Sequence, residues 1–419
     1  MPSTAARRPA LNERALLFTL AAVQFTHIMD FMIMMPLGAR LMQVFGITPA
    51  QFSLLVASYG FAAAASGFLG GFVLDRFDRR SALLTLYTGF DLATLACAFA
   101  PTYEILMGAR IAAGACGGVA GSLVTSMVGD VIPPERRGRG MGVVMTAFPI
   151  ASVFGVPAGL ILSGWLEWHA PFQLLALCSA AILLYARRVL PHVPSHRSEN
   201  HPVRQMLEIL THRIHRRCFL LSAVLVFAGA SVVPFMAPSL ITNVGLDERW
   251  ELPLVYLFGG ACAFFTMPWL GRLADRHDKF HVLVAVSLLA VAIVPFITRL
   301  GPGPLPYTLA VTTLFFIAMS GRFAPAMAMI TNAVDARYRG GFMSVNSAVQ
   351  QASGGLANLT AGLLVTQDVS GRLVGYSRAG LVAGVAFVLT VVLAAWLRSG
   401  APHAARNPAP ATPAPAEPV

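Results

Sequence analysis

Twelve apolar runs dominate this chain: residues 15–37, 51–74, 81–101, 104–129, 139–165, 170–189, 218–242, 252–273, 280–299, 305–332, 341–365 and 374–397. A helix of about 20 apolar residues crosses the hydrocarbon core of a bilayer. Helix is the required conformation, because a backbone in lipid must satisfy its own hydrogen bonds. The alternating pattern of a membrane β-barrel is absent. Only 12% of the 419 residues are charged and 56% are hydrophobic, whereas soluble chains carry roughly a quarter charged residues. The surplus apolar surface must face lipid.

Where the charges fall sets the orientation. Lys and Arg collect in alternate short loops: Arg7, Arg8 and Arg14; Arg76, Arg79 and Arg80; Arg136, Arg137 and Arg139; the central loop; Arg272, Arg276 and Lys279; Arg337 and Arg339; Arg398 and Arg406. The intervening loops hold only Arg40, Arg249, Arg299, Arg372 and Arg378. This asymmetry predicts both termini in the cytoplasm of an inner (plasma) membrane protein, the first apolar run staying in place as an anchor. The net charge of +11 therefore does not point to nucleic acid, which would need the basic residues on one face. Five scattered cysteines, Cys97, Cys116, Cys178, Cys218 and Cys262, argue against a disulfide framework and against a metal site.

The expected organisation is a short N-terminus (1–14), a six-helix bundle (15–189), a linker (190–217), a second bundle (218–397) and a Pro/Ala-rich tail (398–419) that cannot bury a core. Within the linker Val203, Met206, Leu207, Leu210 and Ile214 recur at helical spacing opposite Arg204, Glu208, His212 and Arg216, predicting an amphipathic helix on the membrane surface.

Two loops repeat one frame half a chain apart. Gly71, Asp75, Arg76, Asp78, Arg79 and Arg80 follow the second run; Gly271, Asp275, Arg276, Asp278 and Lys279 follow the eighth. Such duplication is common in transporters. The first copy resembles the Gly-x-x-x-Asp-Arg-x-Gly-Arg-Arg signature of the major facilitator superfamily, with Asp78 in place of the second Gly. The resemblance covers about Arg14 to Arg398. It implies an all-α membrane protein of twelve transmembrane helices in two pseudo-symmetric six-helix bundles. It also implies that Asp75 latches the halves against the start of span eleven while the cytoplasmic side is closed; a loop carboxylate placed for topology is the alternative.

Span five carries Gly155, Pro157 and Gly159, which resemble the Gly-Pro-x-x-Gly signature of the antiporter branch, interrupted here by Val156. Span four carries Arg110-x-x-x-Gly114, similar to an element whose arginine is implicated in proton coupling. An arginine so near the helix end can equally snorkel to the interface.

Charges deep in the spans are few, and expensive enough to need a reason. Asp30, in the middle of span one beside His27 and Met34, is the leading candidate proton carrier, as acidic residues of span one are in the drug:proton antiporters that the chain resembles. A structural carboxylate bonded to His27 or to a neighbouring helix is the alternative. Arg322 lies too deep in span ten to snorkel and needs a carboxylate, an anionic substrate group or carbonyls freed near Pro325. Asp91, Asn346, Gln350, Gln351 and Asn358 are candidates either for a substrate cavity or for interhelical packing. Met29, Met32, Met34 and Met35 suit a cavity that accepts several shapes, or ordinary packing.

These features predict a secondary transporter, not an enzyme, exporting a small organic molecule in exchange for protons, with no cofactor and as a monomer. No Walker-type loop is present to bind ATP. A facilitator or importer, or a transporter-like sensor, are the alternatives. The topology is directly testable in a cysteine-free background. Ser198→Cys should react with a membrane-impermeant thiol reagent only from the cytoplasm and Gly301→Cys only from outside; labelling of both from one side would exclude the twelve-span arrangement.

Overall fold

The computed structural model describes residues 12–73, 77–133, 136–193 and 202–405. Among them, eleven helical stretches are long and apolar enough to cross a membrane: Glu13–Ile33, Pro49–Gly70, Arg79–Ala98, Tyr103–Val131, Arg137–Trp165, Ala170–Val189, Arg213–Val244, Glu251–Arg276, Lys279–Thr298, Leu305–Ala333 and Tyr376–Gly400. Arg339–Leu364 falls outside that set. It is a continuous helix of 26 residues that carries Asn346, Gln350, Gln351 and Asn358. With it as span eleven, the order matches the twelve runs read from the sequence.

Several spans bend where the sequence weakens the helix. Span one stops at Ile33, turns through Pro36 and resumes as Gly38–Phe45. Span five widens into a π-helical turn at Ala151–Gly155, directly before Pro157. Proline has no N–H for the preceding turn, and an i→i+5 turn absorbs the mismatch. Span ten is interrupted at Arg322, between Leu305–Gly321 and Phe323–Ala333, with Pro325 just beyond.

Three apolar cores organise the packing. One draws only on the first half, with Leu16, Leu20, Tyr87, Phe90, Leu123 and Met127 among its members. Another draws only on the second half and its linker, with Ile209, Phe219, Leu225, Met329 and Phe342. The third is shared by both halves, joining Met29, Ile33, Met34, Leu37, Phe52 and Leu160 to Val232, Phe235, Leu252, Phe315 and Phe387. The shared core lies toward the end away from the basic loops. Contacts between halves gather there and at mid-depth. Phe52 meets Phe235 edge-on at 6.1 Å and Trp165 meets Trp250 at 5.6 Å. Ser53 donates to the Asn358 carbonyl at 2.7 Å. Toward the basic loops each half keeps its own core among the described residues.

The linker helix spans Pro202–Thr211. Its buried residue is Ile209, which packs close to Gly341, while Leu207 is exposed and Glu208 accepts a hydrogen bond from the Tyr338 hydroxyl at 3.1 Å. Thus the linker docks on the second half through Ile209 together with Met206, Leu210 and Ile214 of the expected stripe, and Leu207 is the member of that stripe left exposed.

The repeated loops differ from expectation in one informative respect. Asp75 and Arg76 lie outside the described residues, as does the tail beyond residue 405, so the proposed latch is not visible. Asp78 and Asp278, at the position where the superfamily signature has Gly, are helix N-caps. Asp78 accepts from the Ser81 N–H at 3.0 Å and Asp278 from the Phe280 N–H at 2.9 Å. Each also ties the last span of its own half: Asp78 accepts from the Val193 N–H at 2.9 Å, and Asp278 pairs with Arg398 at 2.7 Å. Arg79 pairs with Asp130 at the end of span four, and Arg80 donates to the Arg187 carbonyl. Asp275 and Arg276 are exposed on the last turn of span eight, and beside Gly271 there is open space.

Partial burial pushes the Asp78 carboxyl up, but the hydrogen bonds from Ser81 and Val193 and the nearby His192 outweigh it and hold the group below its ordinary range. A depressed carboxylate stabilises the fold above its unfolded value, about 4, and loses that contribution as pH falls through its folded value. Asp78→Ala should therefore cost about 1 kcal/mol at neutral pH, the usual worth of a cap. Its thermal unfolding should also depend less on acidification than that of the parent; equal acid sensitivity would show that the cap is not the titrating contact.

Candidate functional site

Where the first-half core meets the shared core, spans one, two, three and four converge on one ion pair. Asp30 on span one and Arg110 on span four have side chains with 0% exposure, and Arg110 Nη1 donates to Asp30 Oδ2 at 2.6 Å. The same nitrogen reaches the Asp30 carbonyl at 3.3 Å, and the Thr94 hydroxyl of span three donates to Oδ1 at 3.3 Å. Arg110 therefore does not snorkel. Its Nε and Nη2 have no hydrogen-bond partner, and its charge is instead set over the Tyr59 ring of span two, 4.4 Å from the centroid. A desolvated cation on an aromatic face gains about 2 kcal/mol, which offsets part of the missing hydrogen bonding.

Small residues place these groups. A Cβ on Gly114 would lie 2.4 Å from the Tyr59 carbonyl oxygen, and one on Gly118 would lie 2.7 Å from Ala63. Only glycine lets spans two and four approach so closely, and the approach puts Tyr59 beneath Arg110. The Arg110-x-x-x-Gly114 element thus has a direct steric meaning. On the other flank, Gly155 of span five faces the Met29 sulfur at 2.7 Å and Gly159 faces Ile33 at 2.7 Å, measured from the Cβ each lacks. Span five presses on span one at the residues bracketing Asp30, with Pro157 buried alongside.

His27 lies one turn before Asp30 on span one. Its Nδ1 is 2.9 Å from the Tyr59 hydroxyl, and Gly117 and Gly121 leave room for its ring. His27, Tyr59, Arg110, Asp30 and Thr94 form one contiguous polar chain. Tyr59 and Thr94 escaped the sequence reading. Neither is charged, and a lone Tyr or Thr in an apolar run carries no distinguishing pattern.

The other candidates are dispersed. Met34 is fully buried in the shared core. Asp91, also on span three, has one carboxylate oxygen buried without a partner and sits near Tyr87. Gln350 donates to the Ser222 hydroxyl of span seven at 2.8 Å, whereas Gln351 on the next position lies beside Gly60 of span two. Asn346 and Asn358 are buried, each with an unsatisfied side-chain oxygen. Arg322 is 1% exposed and lies over the Phe387 ring of span twelve at 4.3 Å. It has no carboxylate partner among the described residues. The described residues hold no cluster of His, Cys, Asp and Glu fit to bind a metal.

The sequence model of the Major Facilitator Superfamily matches residues 20–357 and, overlapping, 254–419. The chain belongs to this superfamily. A chloramphenicol resistance protein of Streptomyces lividans is 27% identical over 291 residues, covering 68% of this chain and 72% of that protein. The uncharacterised MFS-type transporter YceJ of Bacillus subtilis (strain 168) is 23% identical over 389 residues, covering 89% of this chain and 93% of that one. Among solved structures, a bacterial homologue of the human lysosomal transporter Spinster aligns with a TM-score of 0.76 at 16% identity. That alignment covers 96% of this chain and 100% of the other. A point mutant of the nucleoside transporter NupG aligns with a TM-score of 0.75 at 14% identity, over 92% and 100%. These two likenesses show the twelve-helix fold, and the family match makes the chain a multi-pass transporter of this superfamily.

Because the ion pair depends on the approach of spans two and four, Gly114→Ala should destabilise the protein by about 1–3 kcal/mol, the usual cost of overpacking. Thermal unfolding in detergent measures this. Unchanged stability would mean that the spans can separate without loss and that Gly114 does not position Tyr59.

Proposed function

We propose that this major facilitator protein is a proton-coupled exporter of a small organic molecule. The observation that carries the reading is the fully buried Asp30–Arg110 pair at the meeting of four spans. Neutral packing would serve stability as well or better at such a place, so a retained ion pair there calls for a use. A proton and the Arg110 guanidinium compete for one carboxylate. When Asp30 takes the proton, the pair loses its charge attraction, Arg110 keeps the Tyr59 ring and the Asp30 carbonyl, and the contacts that set spans one and four relative to each other weaken.

The transport cycle follows from the arrangement of the cores. With the basic loops cytoplasmic, the shared core would be the contact that closes the outward side. Rocking the halves about the mid-depth contacts would exchange the open end. Protonation of Asp30 biases that two-state equilibrium, and Asp75 would latch the cytoplasmic end when it closes. Export rather than import is supported by the name of the Streptomyces relative, a resistance protein, and by the antiporter-like Gly155, Pro157 and Gly159. The protein would work in the plasma membrane with both termini inside.

Asp30→Asn should abolish the ability of proteoliposomes to concentrate substrate under an imposed pH gradient. Breaking one side of a buried pair costs about 3–5 kcal/mol, so the Asp30→Asn/Arg110→Gln double variant, which leaves no orphaned charge, separates coupling from folding. The double variant should insert and equilibrate substrate without concentrating it. Uphill transport by either variant at the parental level would remove Asp30 as the coupling group.

A further inference from the structure

The second half of the molecule holds a cation that its own sequence cannot neutralise. From span seven to span twelve the acidic residues are Asp247, Glu248, Glu251, Asp275, Asp278, Asp335 and Asp368. Every one lies in a loop or on the first or last turn of a helix. Arg322 is in the middle of span ten, 1% exposed, at the point where the helix is interrupted. In the first half, Asp30 is already occupied by Arg110.

The surroundings of Arg322 are almost wholly apolar. Its guanidinium stacks on Phe387 at 4.3 Å, and Nη2 touches the Met319 sulfur, a weak acceptor, at 3.4 Å. On span seven Gly229 lies close against the group: a Cβ placed there would lie 3.6 Å from Nη2 and 3.2 Å from the Met319 sulfur. Nε and Nη1 have no hydrogen-bond partner. A guanidinium does not give up its proton in a protein, so the charge remains, with donors unused. In hydrocarbon surroundings this is the arrangement that an incoming anion relieves. The aromatic and thioether walls favour an anion carried on an apolar body over a hydrated inorganic ion.

We propose that Arg322 is the anion-binding contact of a site for a small organic carboxylate, formed between spans seven, ten and twelve. The proposal deepens the transport reading by naming a substrate class, yet its test requires no transport. The helices pack closely around the guanidinium, so binding requires spans seven and ten to yield at Gly229 and at the interruption beside Arg322. The unused donors make the ligand-free protein less stable than it could be, and a bound carboxylate restores that stability.

Thermal unfolding of the purified full-length protein is measured with sodium benzoate, with benzamide as its neutral counterpart, and with sodium chloride at matched concentrations. Benzoate should raise Tm in a concentration-dependent way, while benzamide and chloride should leave it within error. Arg322→Lys, which keeps the charge but loses the planar fork, should need about 10-fold more benzoate for the same shift, a 1.4 kcal/mol difference. Arg322→Gln should match or exceed the parent in Tm without ligand and show no response to benzoate. Equal effects of benzoate and benzamide on the parent would overturn the proposal. So would an unaltered benzoate response in Arg322→Gln, or an Arg322→Gln protein that unfolds below the parent, because a structural arginine behaves in that way. A chloride effect equal to that of benzoate would overturn the organic-acid assignment. Failure of the Asp30 coupling test would leave these outcomes unaffected.

Discussion

Much of the first half rests on the close passage of spans two and four. Where Gly114 meets the Tyr59 carbonyl there is no room for a single extra carbon. From that contact the rest follows by geometry. Tyr59 is brought under Arg110, its hydroxyl reaches His27, and Arg110 is aimed at Asp30. Apolar residues in lipid gain little by moving from lipid to protein, so helices in a membrane associate through such close packing and through polar contacts. Here both forces act on the same few residues, and span five adds a third surface through Gly155 and Gly159 against Met29 and Ile33.

The two buried arginines show how differently a protein can hold one kind of charge. Both lie over an aromatic ring at nearly the same distance, 4.4 Å for Arg110 and 4.3 Å for Arg322. Arg110 has a carboxylate at hydrogen-bond distance, and Arg322 has a thioether. The first pair is neutral as a unit and can be opened by one proton. The second site carries a positive charge that no described carboxylate offsets. The two proposals place a proton-responsive group in one half and an anion-responsive group in the other, with the shared core between them.

The loop signature illustrates where sequence reasoning reached its limit. Its repetition in both halves was legible, and so was the departure from the superfamily pattern at Asp78. What Asp78 does was not. In both copies the Asp caps the following helix and ties down the last span of its own half, through Val193 in one and Arg398 in the other. Those partners lie 115 and 120 residues away in the chain, beyond the range of any local pattern. The linker helix was likewise legible as a helix. Its docking face kept Met206, Leu210 and Ile214 of the expected stripe, while the burial of Ile209 was set by the surface it found beside Gly341.

The sequence by itself determined the twelve spans, their order and the presence of costly charges within them, because lipid imposes one strong rule on every residue independently. Length, apolarity and loop charge are local quantities, and they can be counted along the chain. Tertiary structure alone decided that Asp30 pairs with Arg110 while Arg322 pairs with no carboxylate among the described residues, that Tyr59 and Thr94 belong to the polar chain, and that Gln350 reaches span seven while the Gln351 backbone lies against span two. Each of these depends on helix rotation and on the distance of closest approach. Those are set by glycines and bulky side chains on a different span, so they can be read only when the two surfaces are placed together.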